Sequence, residues 1–184
     1  GRLTHLDLSG NKLSGESAGQ LAETYFAERP GCATPGSCSS GAEAGAIVEG
    51  TSSGERLLDL SYNNLYDAGV TRIAAALHGH SEARLRLVDV GCTNPGLNML
   101  LEAKEALAEL DVGRNAISGN GVAMLCRALS STAGWHSVSL ARLTTECPEP
   151  ARIAELLAGC ARGASQLRTL DVSGNHIGDL GGRA

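Results

Sequence analysis

Apolar residues in this chain follow two alternating rhythms. In the first, with a period of two, the pairs Leu6/Leu8, Leu58/Leu60, Val88/Val90, Leu110/Val112, Val138/Leu140 and Leu170/Val172 each flank one polar residue. Strict alternation of this kind predicts a half-buried strand. The second has a period near four: Gly69, Ile73 and Leu77 after one pair, Gly121, Leu125 and Leu129 after another, Leu21 and Tyr25 after the first. With TRIAAAL and VAMLCRAL between them, these positions form the apolar stripe of an amphipathic helix. Asp67 and Asp179 precede two of the stripes where an N-cap would sit. Each unit therefore reads as a short strand, a turn and a helix.

The units share one frame, L-x-x-L-x-L-x-x-N-x-L, placed six times from Leu3, Glu55, Leu85, Leu107, Trp135 and Leu167. Its Asn position holds Asn11, Asn63, Asn115 and Asn175, with Thr93 and Leu143 in the third and fifth copies. No single unit can bury both its strand and its helix faces, so neighbours must stack into a continuous core. Stacked strands lie about 4.8 Å apart, whereas packed helices need about 8–10 Å. The helix side follows the longer arc and the strands line the inside. The repeated Asn is expected to turn in after the strand and satisfy backbone groups of the bend.

The pattern LxxLxLxxNxL followed by G-x-x-x-L-x-x-x-L resembles the leucine-rich repeats of the ribonuclease-inhibitor subfamily, over almost the whole chain except residues 30–54. The resemblance implies an α/β fold: a right-handed solenoid of about six repeats, a horseshoe arc with a concave parallel β-sheet and convex helices. It implies a single array over 1–184 and a non-catalytic scaffold that binds a protein partner. Related arcs also include activators of small GTPases and the sensing segments of innate-immune-type receptors.

Successive copies are separated by 52, 30, 22, 28 and 32 residues. The first gap contains a Gly/Ser/Ala/Pro-rich surplus over 29–54, expected to be a flexible insertion on the convex side or rim. The third unit, with NPGLNMLLEAKEAL, predicts a short helix whose turn Pro95 and Gly96 disturb. In the fifth, TTECPEP stands where the Asn turn belongs, and the helix resumes at ARIAELLAGCA. A strand at the opening and DLGGRA at the close leave no polar capping unit. Further repeats or a partner are expected to cover the ends.

Composition narrows the chemistry. A net charge of −5 argues against nucleic-acid binding. No stretch approaches the length of a membrane span. The scarcity of aromatics (three Tyr, one Trp, one Phe) suits a thin aliphatic core. Six cysteines without a CxxC pair read as reduced thiols of an intracellular protein, in the cytoplasm or the nucleus. SGNGVA over 118–123 lacks the third glycine and the later acid of a dinucleotide turn. His78 and His80 lack a third ligand. No catalytic set is recognisable, and no cofactor or metal is expected.

The surface carries the candidate site. Between the two inward aliphatics of each strand lies one outward residue, giving the column Asp7, Asp59, Asp89, Asp111, Ser139, Asp171 on the concave face. Neighbouring carboxylates about 5 Å apart repel by about 0.8 kcal/mol in water, and a stripe of them would attract a partner with a basic surface. An Asp in LDLS is also ordinary filler in such repeats. A second column, Gly10, Tyr62, Cys92, Arg114, Arg142, Gly174, is expected on the rim. There Tyr62, Arg114 and Arg142 are residue types favoured as interface anchors.

Overall fold

The structure is a computed structural model and describes residues 3–27, 56–131, 134–144, 158–159, 166–175 and 179. The expected insertion at 29–54, most of ARIAELLAGCA and nearly all of TTECPEP lie outside them. Six strands, β1 (His5–Asp7), β2 (Arg56–Asp59), β3 (Ala83–Arg86), β4 (Leu107–Asp111), β5 (Ser137–Ser139) and β6 (Thr169–Asp171), form one sheet in chain order. Every pair is parallel. Helices α1 (Gly15–Ala27), α2 (Tyr66–Ala76), α3 (Asn94–Glu102) and α4 (Gly119–Ser131) follow β1 to β4. This is the expected solenoid. No helix among the described residues is long and apolar enough to cross a membrane.

Strand and helix leucines meet in one continuous core: Leu58, Leu60, Ile73, Leu77, Leu85, Leu97, Leu110 and Leu125 are all essentially inaccessible. Three of the five aromatics belong to it, while Tyr62 and Tyr66 are exposed. Trp135 and Phe26 are among the largest fully buried side chains, and buried Tyr25 donates its hydroxyl to the Leu57 carbonyl.

The third unit corrects the sequence frame. Leu85 pairs with Leu58 on one side and Leu110 on the other, so the alternating pair is Leu85 and Leu87, not Val88 and Val90. The ladder continues past this pair, with Leu60 N–H donating to Arg86 O and Leu87 N–H to Asp111 O; its one irregularity against β4 lies earlier, between Ala83 and Arg84. A shift of three is odd and reverses which residues face inward. Val90, not Thr93, then falls in the Asn position and is buried.

The Asn residues join one unit to the one before it. The Asn63 Oδ1 accepts from the amides of Asn11 (3.1 Å) and Leu13 (2.8 Å), and its Nδ2 donates to Leu8 O at 2.9 Å. Asn115 repeats this with the amides of Val90 and Cys92 and with Leu87 O. Asn175 does so with Leu143 N and Leu140 O. Where Val90 replaces Asn, its own carbonyl accepts from Leu65 N and Tyr66 N instead.

Helix starts are also tied across units. Asp67 lies inside the first turn of α2 and does not cap it; Leu65 holds the cap position. Its carboxylate instead accepts from Thr93 N (2.7 Å), Thr93 Oγ1 (2.6 Å) and Gly96 N (3.1 Å) at the start of α3. Asn94 serves α4 in the same way through Ser118 N at 3.0 Å. Pro95 does not disturb the turn: it sits in the first turn of α3, where no amide donor is required. That helix is short, as expected, with nine residues against thirteen in α1 and α4.

Candidate functional site

Register fixes which side chains stand together on the concave face. Asp7 pairs with Asp59, Asp59 with Arg86, Arg86 with Asp111, Asp111 with Ser139, and Ser139 with Asp171. Four of the five expected carboxylates share this column. Asp89 does not; Arg86 takes its place and faces Asp59 at 3.8 Å. The stripe is thus acidic at both ends and divided by a cation. Asp7, Asp111 and Asp171 have no ion pair within 4 Å among the described residues.

These carboxylates have a backbone task as well. Asp7, Asp59, Asp111 and Asp171 each accept, through Oδ1, the amide two residues on, at 2.9–3.0 Å. The bond closes the turn that ends each strand. Arg86 cannot accept it, and the corresponding Val88 amide donates to Ser61 Oγ at 3.1 Å instead. The amides of Ser9 and Ser173 hold the Asp7 and Asp171 carboxyls below the usual value of 3.8; the Ser side chains lower them further.

A second concave column lies two residues earlier: His5, Leu57, Arg84, Glu109, Ser137, Thr169. The sequence reading missed it, although the same alternation contains it. Arg84 Nε meets Glu109 Oε2 at 2.7 Å, and Leu57 is nearly covered. Between the columns, Arg86, Glu109, Asp111, Ser137 and Ser139 line a shallow depression of about 100 Å³.

Beyond the strands the rim column is Gly10, Tyr62, Asp89, Arg114, Arg142, Gly174. Tyr62, Arg114 and Arg142 fall in this one column, with Asp89 standing between Tyr62 and the two arginines. Cys92 is not among them: it is fully buried, and burial first, with the Asp67 charge second, pushes its thiol up to about 12. All six rim residues have positive φ, from 53° at Asp89 to 70° at Gly174. Side chains other than glycine sit there at a cost of roughly 1–2 kcal/mol each. Tyr62 is 51% exposed, and Tyr66, which the sequence reading did not single out, is 61% exposed. The Tyr66 ring lies against Gly91, where an added Cβ would come within 2.8 Å of it. Two tyrosines four residues apart flanking the Asn were the available signal.

Parallel strand–turn–helix units joined through buried asparagines define a leucine-rich-repeat solenoid. Matches agree: a Leucine Rich repeat family model fits residues 56–74, 107–126 and 165–184, and a second Leucine Rich Repeat model fits 2–23. The chain is a leucine-rich-repeat protein of the ribonuclease-inhibitor-like type. It is 35% identical to the ribonuclease inhibitor of Sus scrofa over 139 residues, 69% of this chain and 30% of that protein. It is 27% identical to the NACHT, LRR and PYD domains-containing protein 3 of Bos taurus, over 97% of this chain and 18% of that protein. The chain thus spans less than a third of the length of either relative.

Proposed function

We propose that this array is a non-catalytic scaffold that binds a protein partner across its concave sheet and adjoining rim. One observation carries the reading. Tyr62, Asp89, Arg114 and Arg142 keep full side chains at four successive left-handed positions where glycine would be unstrained. They stand in line beside the two polar columns, on a backbone fixed by its ladder. Such a surface binds by complementarity with little change of shape. The partner has basic groups that meet the carboxylates of Asp7, Asp111 and Asp171, and acidic or aromatic groups that meet Arg114 and Arg142. Asp59 contributes less, because Arg86 already faces it.

The name of the Sus scrofa relative makes a ribonuclease the first purified probe. Binding is measured at low and high salt, since contacts through exposed carboxylates weaken as salt screens them. The double variant Tyr62→Ala/Arg114→Ala should lose partner affinity and keep its melting point; unchanged affinity for every partner found refutes the rim assignment.

The second reading is a sensing segment within a multidomain receptor. The match over 97% of this chain to a protein whose name includes NACHT and PYD domains favours it. The full-length chain decides it, through the presence or absence of a nucleotide-binding module. A role as a GTPase regulator predicts stimulated GTP hydrolysis by the purified protein.

A further inference from the structure

Two departures from the repeat frame meet at the rim of the second and third units. Where the first, third and fourth units carry Ser14, Thr93 and Ser118 at the approach to the helix, the second carries Tyr66. Ser14 Oγ accepts from Ser17 N at 3.3 Å at the start of α1, whereas α2 has no side-chain cap. Tyr66 also has a left-handed backbone, with φ 53°, so the second unit forgoes both a cap and a relaxed turn to carry this ring. The other departure lies in the third unit, which has Gly91 where its neighbours have Lys12, Asn64 and Ala116. An added Cβ there would lie 2.8 Å from Tyr66 Cδ1 and 3.1 Å from Cε1. Glycine at this place leaves the ring its seat.

The seated ring is exposed all the same, and so is that of Tyr62. Their backbones bracket one residue. Tyr62 N donates to Val88 O at 2.7 Å and Tyr66 N to Val90 O at 2.9 Å, so Asp89 stands between the two anchored carbonyls. Asp89 is exposed and, at φ 53°, is left-handed like both tyrosines. Among the described residues it has no ion pair within 4 Å, the rings of Tyr62 and Tyr66 do not contact each other, and no cation lies over either. Tyr25 is the contrast within the chain, with the Arg56 guanidinium 5.5 Å from its ring centroid.

We propose that Tyr62, Asp89 and Tyr66 form a clamp for one arginine side chain of a protein partner. Charge complementarity selects the occupant. The face of a tyrosine ring attracts a cation, and the carboxylate beside the rings lacks a counter-charge. A guanidinium stacks its plane on a ring while its edge donates to a carboxylate, which the compact ammonium of lysine does less well. An acidic group would be repelled by Asp89, and an aliphatic one would cover that carboxylate without pairing it. Gly91 and the Val90 carbonyl already hold Tyr66 in place, so little ordering remains for binding to supply. The inference rests on the rim being a binding face and names the group that reaches its second and third units.

The test titrates N-acetylarginine amide into the isotope-labelled chain and follows backbone amide and tyrosine ring resonances by NMR. N-acetylcitrulline amide, of the same shape without the charge, is the control. The arginine probe should shift the Asp89 and Gly91 amides and the Tyr62 and Tyr66 rings together, and the citrulline probe should not. Asp89→Asn, Tyr62→Gly and Tyr66→Gly suit a left-handed backbone and should keep the melting point. Each should weaken the arginine probe about two- to fivefold, the range for exposed ion pairs and cation–π contacts. Equal shifts with citrulline, equal affinity for N-acetyllysine amide, or arginine binding untouched by all three variants would overturn the clamp. A ribonuclease that loses affinity with Arg114→Ala but not with Asp89→Asn or Tyr66→Gly would overturn it as well, and would leave the scaffold reading standing.

Discussion

The Asn115 side chain binds the Leu87 carbonyl at 2.7 Å across the junction between the third and fourth units. The same carboxamide donates to Val112 O and Gly113 O in its own unit and accepts from Val90 N and Cys92 N. Replacing it with Ala leaves several buried backbone groups unpaired, and each orphan costs about 1–3 kcal/mol. Asn115→Ala is expected to destabilise the fold by at least that amount, measured as a lowered midpoint in urea. Asn175→Ala, at a half-buried position with fewer bonds, should cost less.

Helix starts are coupled through Asp67 and Gly96. A Cβ on Gly96 would lie 2.5 Å from Asp67 Oδ1 and 3.0 Å from Cys92 Sγ, so the carboxylate would be driven off its amides. Overpacking of this kind costs about 1–3 kcal/mol, and Gly96→Ala should fall in that range by thermal melting. Asp67→Asn keeps the Oδ1 acceptor and should be milder than Asp67→Ala, which removes all three bonds.

The rim should show opposed effects on stability and binding. Arg114→Gly and Tyr62→Gly relieve left-handed strain of roughly 1–2 kcal/mol each, partly offset by the entropy glycine loses on folding. Stability by urea titration is expected to stay level or rise, while affinity for a partner falls. A fold that weakens markedly on either change would show that these side chains hold the turn.

Arg86 divides the acidic column, and Arg86→Asp should make it continuous. The ion pair with Asp59 is long, at 3.8 Å, and half exposed on the Arg86 side, so it contributes about 0–1 kcal/mol. The introduced carboxylate is placed to take up the Val88 amide as its counterparts take up theirs. Stability should fall by about 2 kcal/mol, because the new carboxylate repels both Asp59 and Asp111 by about 0.8 kcal/mol each in water, whereas binding of a basic partner should strengthen and become more sensitive to salt.

Two chemical probes follow from burial and turn bonding. Cys92, with its thiol pushed up to about 12, and the buried Cys126 should resist a thiol reagent near pH 8 until the protein unfolds. Asp7 and Asp171 bind protons less readily in the folded state, so their turn bonds contribute above the ordinary carboxylate value of 3.8. That contribution is lost as pH falls through their lower folded values. An NMR titration should place both carboxyls below 3.8; midpoints at or above that value would mean the Ser9 and Ser173 amides are not bonded to the charged form.

The architecture and most of the surface were legible in the order of residues alone. Leu6, Leu58 and Leu110 are unambiguous because alternation, the Asn marker and the helix offsets agree. Leu170 rests on alternation and Asn175, Val138 on alternation alone. A unit that buries both faces only by stacking has one outcome. Asp7, Asp59, Asp111 and Asp171 followed from the same frame. The third unit was settled in three dimensions. There the run Leu85 to Val90 alternates acceptably in two frames, and the Asn that would choose between them is Val90. Hydrogen bonding to β2 and β4 makes the choice, sending Arg86 to the sheet and Asp89 to the rim and burying Cys92. Packing of α2 against α3 likewise turned Asp67 to the neighbouring helix and not its own. Periodicity records how a segment repeats along the chain; which neighbour it pairs with, and in what register, depends on contacts made across units.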